Sequence, residues 1–334
     1  MHTRGIHYDV GTTTLEGGTT RPYLTVERLE HDLGDIARGL HANAVRVTGG
    51  DVGRIHLAAT TAARLGLDPW LTPMLPNADA SATLAAIDEA ARAAADVAAS
   101  SAGVTLVIGC ELSAFMSGIL PGASHGDRLS LLMDSERLMA AMGASGRDPQ
   151  ADFQTFLRTA SETARRRFTG PVTYASGLWE DVDWSLFDLI GLDAYRDAAS
   201  RDSCAGMLRR HAGTGRRVVI TETGCATYRG AAAAGGMAWT AVERTGEPRR
   251  LREGVVRDEH EQAGELENLL AEGAASGVSG AFIYTYDAPS YPSNVDPRFD
   301  LDAASYALVR TWPDGRTEPK AAYRAVARAY EAYG

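Results

Sequence analysis

Two glutamates stand at the ends of aliphatic runs. Val104-Thr105-Leu106-Val107-Ile108-Gly109-Cys110 leads into Glu111, and Arg217-Val218-Val219-Ile220-Thr221 leads into Glu222, followed by Thr223-Gly224. Short apolar runs of this kind read as strands buried on both faces. A carboxylate closing such a strand lies at the rim of a sheet, where ligands of α/β proteins collect. Two carboxyl groups facing each other there could cleave a glycosidic bond. One protonates the leaving oxygen, and the other attacks the anomeric carbon or activates water. A separation of about 5–5.5 Å gives retention and about 6.5–9.5 Å gives inversion.

The frame that must bring the glutamates together is an alternation of strands and helices along the whole chain. The strands are predicted at Gly5–Val10, Asn43–Thr48, Leu67–Pro73, Val104–Glu111, Pro171–Ser176, Asp188–Tyr195, Arg217–Glu222 and Gly280–Asp287. Helical spacing of Leu29, Leu33, Ile36 and Leu40 marks a helix over Thr25–Leu40. The alanine-rich stretch Ala80–Ala102 is a strong helix former, with Asp88, Glu89, Arg92 and Asp96 on a wet face. Further helices are expected over Val52–Leu65, Ala151–Phe168, Ser203–Ala212, Asp258–Ala275 and Pro319–Tyr333. The fifth crossover is little more than one turn. Eight βα units predict an α/β fold, a closed (β/α)8 barrel, over residues 1–334 as a single domain with long loops after strands four and seven. An open doubly wound sheet is the alternative; no G-x-G-x-x-G follows the first strand, which speaks against a dinucleotide site.

In this setting the chain resembles the clan A retaining glycoside hydrolases. Ile220-Thr221-Glu222-Thr223-Gly224 is similar to the clan's nucleophile segment, and Glu111 ends strand four. The resemblance implies Glu222 as nucleophile and Glu111 as acid/base. It implies that Arg46 on strand two and Tyr195 at the end of strand six contact Glu222. Two positions depart from the clan's pattern. Cys110 replaces the asparagine that binds the sugar 2-hydroxyl, and thiols are weak hydrogen-bond partners. Tyr284 and Tyr286 are the candidates where strand eight usually offers a tryptophan platform.

An Arg46 guanidinium beside Glu222 would favour its carboxylate, while a desolvated site would keep Glu111 protonated. Other polar residues at strand ends are Tyr8, with His7 and Asp9, on strand one, Asp51, Asn77, Asp193 and Asp287; of these, Tyr8 and Asp193 are taken as substrate contacts. Trp239 and Tyr228, in the insertion after strand seven, would either stack on a sugar or anchor the loop.

The formal net charge of -10 disfavours nucleic acid and anionic membranes as partners. No apolar run reaches the ~20 residues of a membrane span, and no secretory signal opens the sequence. Three cysteines, Cys110, Cys204 and Cys225, fit free thiols in a reducing cytoplasm. Cys110 and Cys225 flank the two glutamates, but no H-E-x-x-H or C-x-x-C motif supports zinc. Neither a metal nor a cofactor is expected. The partner is a small molecule or an oligosaccharide. Two other readings stay open. The same acids could act in a lyase, cyclase or hydrolase on a metabolite that is not a simple sugar, or the barrel could bind a carbohydrate or a protein without turnover.

Overall fold

A computed structural model of the chain describes residues 1–146 and 148–334. Eight parallel strands close into a barrel in which each strand pairs with its sequence neighbours and the last pairs with the first. Numbering the barrel strands alone, they are β1 (Thr3–Gly11), β2 (Ala44–Gly49), β3 (Asp68–Pro73), β4 (Thr105–Cys110), β5 (Val172–Gly177), β6 (Ile190–Asp193), β7 (Val218–Thr223) and β8 (Gly280–Ile283). The (β/α)8 barrel expected from the sequence is the fold of the protein.

The strands are apolar on both faces because both faces are covered. Outward residues such as Ile6, Val45, Val47, Leu106, Ile108, Val218 and Ile220 join the helices in one large core. Inward residues Ala44, Trp70, Val107, Ala175, Val219 and Phe282 fill the barrel axis, with the rings of Trp70 and Phe282 4.7 Å apart. Room for Phe282 comes from Gly5, where a Cβ would lie 2.2 Å from the ring. Above this apolar plug the interior turns polar, with His7, Arg46 and Thr48 at 3%, 0% and 5% exposure.

The ring helices have local reasons to start where they do. Thr25, Asp51, Asp79, Asp148 and Asp258 cap the helices Val26–Arg38, Val52–Arg64, Ala80–Ala98, Pro149–Arg165 and Glu259–Ala275, each accepting a first-turn N–H. The fifth crossover is a single turn, Trp184–Leu186, as its length in the sequence predicts.

Three long segments lie over the carboxyl ends of the strands. Two follow β4 and β7, as expected. The third follows β8 and runs to the closing helix Ala321–Tyr333. Its course was not legible in the sequence, because the expected strand Gly280–Asp287 stops at Ile283 and a cis peptide joins Tyr284 to Thr285. Ion pairs tie this segment down: the half-buried Arg257 bonds Asp300 at 2.8 Å and Asp302 at 2.6 Å, and the buried Lys320 reaches Asp302 at 3.2 Å.

Candidate active site

The mouth of the barrel holds a cavity of about 260 Å3 lined by both Glu111 and Glu222. Regular alternation from Val219 would aim Thr221 inward and Glu222 outward, whereas Glu111 has the parity of Val107. Residues on the inner face of a strand share parity, and Val107 and Val219 fill the barrel axis. The register shifts between Val107 and Cys110 where β4 meets β5, and between Leu192 and Asp193 where β6 meets β7. The second shift inserts one residue in β7 and turns Glu222 inward; the first inserts one in β4 and turns Cys110 to the wall, and Glu111 reaches the cavity from the left-handed turn that follows. Bulges near active sites commonly re-aim side chains in this way.

Glu222 is held on both carboxyl oxygens. Tyr195 Oη donates to Oε1 at 2.7 Å, and Arg46 Nη1 lies 3.3 Å from Oε2. Arg46 is itself fixed, donating to the Thr221 carbonyl at 2.9 Å and to Thr72 Oγ1 at 3.2 Å. The Glu222 side chain keeps 15% exposure, toward the cavity. Burial, with the neighbouring Asp193 carboxyl, pushes its pKa up to about 7 against the pull of Arg46 and Tyr195. Arg46 acts in the expected direction, favouring the carboxylate, but burial and Asp193 outweigh it. One guanidinium is shared between two buried acids, since Arg46 Nη1 also faces Asp193 Oδ1 at 3.6 Å.

Glu111 is bonded differently. It sits just past β4 in the left-handed region, with φ 46° and ψ 43°, a conformation uncommon outside glycine. Its backbone N–H bonds the Ala175 carbonyl at 2.9 Å, but its carboxyl makes no cap to the helix Leu112–Phe115 that it starts. Burial, then the negative charges of Asp193, Glu222 and Glu180, hold its pKa well above the ordinary carboxylate range. Here the expectation from sequence and the structure agree in direction and in cause.

The remaining expected residues divide. Cys110, Arg46, Trp239 and Tyr284 line the cavity. Cys110 Sγ donates to Asp193 at 3.2 Å and lies 4.0 Å from Glu222 Oε2. Asp193 is beneath the cavity wall, accepting from Thr221 Oγ1 at 2.7 Å, so its reach is to Arg46 and Cys110. Tyr284 packs against His7 at 4.7 Å and Tyr306 at 5.8 Å between ring centroids. The Trp239 ring lies under the Arg244 guanidinium, 4.9 Å from its centroid.

Tyr8 and Tyr286 are placed elsewhere, which corrects their assignment as substrate contacts. Tyr8 alternates with the inward His7 and Asp9, so it points out of the barrel and donates to Asp32 at 2.9 Å. Tyr286 donates to Asp35 on the same helix at 2.9 Å. Among the weaker candidates, His7, Asp9 and Asp287 line the cavity. Asp51 is a helix cap, and Asn77 holds His125 and Arg128. Tyr228 anchors its loop, donating to the Ala238 carbonyl at 3.2 Å.

Cys110, Asp193 and Glu222 bring one ligand atom each within 4.8 Å of one another. A metal fits poorly among them, because the Arg46 guanidinium already faces both carboxylates. Cys225 is buried and points to the Ala226 carbonyl at 3.4 Å, outside this group.

Several wall residues gave no signal in the sequence. Thr12–Glu16 and Thr20, in the loop after β1, line one side, and Pro289–Tyr291 with Ala304–Tyr306, after β8, line another. Arg244 joins three loops, pairing with Glu16 and donating to Tyr291 Oη at 2.9 Å. Such residues are set by loop paths, which no short-range pattern encodes.

No family model and no curated protein matches the chain in sequence. Solved structures do match over its whole length. A GH2 β-galacturonidase from Eisenbergiella tayi, bound to galacturonate, aligns at 15% identity and TM-score 0.57, covering 100% of this chain and 52% of that one. A Bacteroides uniformis β-glucuronidase aligns at 14% identity and TM-score 0.58, covering 99% and 35%. Saccharomyces cerevisiae Gas2p in its apo form aligns at 12% identity and TM-score 0.51, covering 99% and 60%. The chain therefore spans less than two thirds of the length of each of these proteins. At such identities the likeness is one of fold: this chain carries the (β/α)8 barrel found in these glycoside hydrolases.

Proposed function

We propose that the chain is a single catalytic domain that cleaves or transfers a glycosidic bond with retention. Glu222 is the nucleophile and Glu111 the acid/base. The observation that carries this reading is the contrast in their bonding within one cavity. Glu222 has both oxygens held by Tyr195 and Arg46, which orients a carboxylate for attack. Glu111 has its carboxyl uncommitted and its pKa raised, which suits a proton donor.

In the first step the Glu111 proton moves to the glycosidic oxygen as that oxygen leaves with the bond's electron pair. Glu222 forms a bond to the anomeric carbon. In the second step Glu111, now a carboxylate, takes a proton from water or a sugar hydroxyl. The resulting oxygen nucleophile displaces Glu222. Arg46 and Tyr195 stabilise the Glu222 carboxylate as it is released. Tyr284 and Trp239 offer ring surfaces to the substrate, and Asp193 acts through Arg46 and Cys110. The β-galacturonidase and the β-glucuronidase that share this fold support the same reading. We keep the expectation of a cytoplasmic protein on its three buried free thiols; among the described residues no helix is long and apolar enough to cross a membrane.

One observation favours a second reading. Cys110 contributes to the wall beside Glu222 a thiol that already donates to Asp193, a poor reader of a sugar 2-hydroxyl. A substrate lacking that hydroxyl, or one that is not a sugar, would suit it. A panel of activated aryl glycosides, including 2-deoxy sugars, tests both. Turnover abolished by Glu222→Ala supports the proposal. Full activity in that variant overturns it. Binding without turnover, unaffected by changing either glutamate, identifies a non-catalytic barrel.

A further inference from the structure

The helix Leu112–Phe115 starts directly after Glu111. The first N–H groups of a helix need partners, and the residue before the helix normally supplies one with its own side chain. Glu111 holds that position and supplies none. The partners come instead from β5 and the turn beyond it. Tyr174 Oη accepts the Leu112 N–H at 2.6 Å, and Glu180 Oε1 accepts the Ser113 N–H at 3.0 Å. The two partners are themselves joined, with Tyr174 Oη 2.9 Å from each Glu180 oxygen. Glu180 Oε2 also accepts the Gly177 N–H at 3.0 Å. Trp179 Nε1 donates to Ser113 Oγ at 3.0 Å, closing the turn over the helix start.

We propose that Glu180, acting with Tyr174, is a positioning residue for Glu111: it caps the helix in place of Glu111 and so leaves the Glu111 carboxyl free in the cavity. Were the Glu180 side chain absent, the Glu111 carboxyl would be the nearest acceptor in sequence for the Ser113 N–H. It would turn back to cap its own helix and leave the cavity. A carboxylate that accepts a backbone N–H is favoured in its charged form, so the same change would cost Glu111 its proton. The Glu180 charge acts in the same sense, raising the Glu111 pKa. Buried and bonded to three donors, Glu180 has its own pKa raised to about 7. The other groups facing Glu111 are Asp193 on β6 and Glu222 on β7, which favour its proton, and Arg46 on β2, which opposes it. The adjacent Cys110 thiol stays neutral, its pKa raised by burial. None of these caps the helix.

The inference rests on the acid/base role proposed for Glu111, but its test does not require turnover. Carboxyl carbons of the full-length protein, labelled at glutamate, are titrated by NMR, with the Glu111 signal assigned by its loss in Glu111→Gln. In Glu180→Ala the Glu111 midpoint is expected to fall by about one pH unit or more, with a smaller fall in Glu180→Gln, which loses the charge but keeps an acceptor oxygen, and in Tyr174→Phe. An unchanged midpoint in folded Glu180→Ala, or one equal to that of Glu180→Gln, overturns the inference. If circular dichroism shows Glu180→Ala unfolded, Tyr174→Phe carries the same test with the same two readings. Where a glycoside is turned over, substrates with poor leaving groups should lose roughly 10- to 100-fold in kcat in Glu180→Ala, and those with good leaving groups less than about twofold. Equal loss on both would mark a structural role only, and overturns the inference. Absence of turnover in the wild type counts against the proposed function and leaves the titration as the arbiter here.

Discussion

The hydroxyl of Tyr195 lies 2.7 Å from Glu222 Oε1 and has its ring packed 5.7 Å from Tyr306. A donor at this distance stabilises the charged carboxylate more than the neutral acid. Tyr195→Phe removes the donor and keeps the ring. It is expected to lower kcat/KM roughly 10- to 100-fold, the usual worth of a hydrogen bond to a charged group. It should also move the acidic limb of the pH profile upward, because Glu222 then gives up its proton less readily. A profile of kcat/KM against pH checks both.

The wild-type profile should be a bell. Activity is expected to fall as pH drops below about 7, where Glu222 takes up a proton. It should fall again at higher pH as Glu111, with its raised pKa, loses the proton it must donate. The limbs belong to a coupled group that includes Asp193, so their midpoints describe the cluster and not single residues.

Glu111→Gln should abolish turnover of substrates with poor leaving groups and yet stabilise the fold. The folded pKa of Glu111 lies above its unfolded value, so its contribution to stability is intact below the unfolded pKa. It is lost as pH rises toward the folded pKa. Near pH ~4.5 the variant and wild type should melt alike. Toward neutrality the variant should melt higher, by roughly 2–6 °C. Calorimetric scans at several pH values measure this. A lower Tm for the variant at neutral pH would show that the carboxyl has a stabilising partner.

Arg244 clasps the cavity wall by pairing with Glu16 from the loop after β1 and Tyr291 from the segment after β8. The side chains of the Arg244–Glu16 pair are 25% and 37% exposed, so its loss should cost less than about 1 kcal/mol. Arg244→Ala is expected to raise KM several-fold with little change in kcat, since the wall shapes binding and does not touch the reacting bond. Steady-state kinetics beside a denaturant titration separate the two effects.

The barrel was legible because its signals are local. Aliphatic runs such as Val218-Val219-Ile220, the helical spacing of Leu29, Leu33 and Ile36, and an alanine-rich helix each announce themselves within a few residues. Glu111, Glu222, Arg46 and Tyr195 could be selected because strand ends of a barrel converge on one mouth. Tyr8 and Tyr286 were misplaced for different reasons. On β1 the inward set is His7 and Asp9, and strict alternation sends Tyr8 outward; Tyr286 lies beyond the true end of β8. Glu180 was invisible as a site residue, because its importance lies in the Ser113 amide of a loop distant in sequence. The wall around Glu16, Arg244 and Tyr291 likewise depends on contacts between segments distant in sequence.

The most direct test of the central claim is covalent trapping. A mechanism-based 2-fluoro glycoside of the configuration the enzyme turns over is incubated with the protein, which is then digested and mapped by mass spectrometry. The account predicts one label per chain, carried by Glu222, with no label in Glu222→Ala. A label on another residue, or product formed with inverted configuration and no label at all, would contradict it.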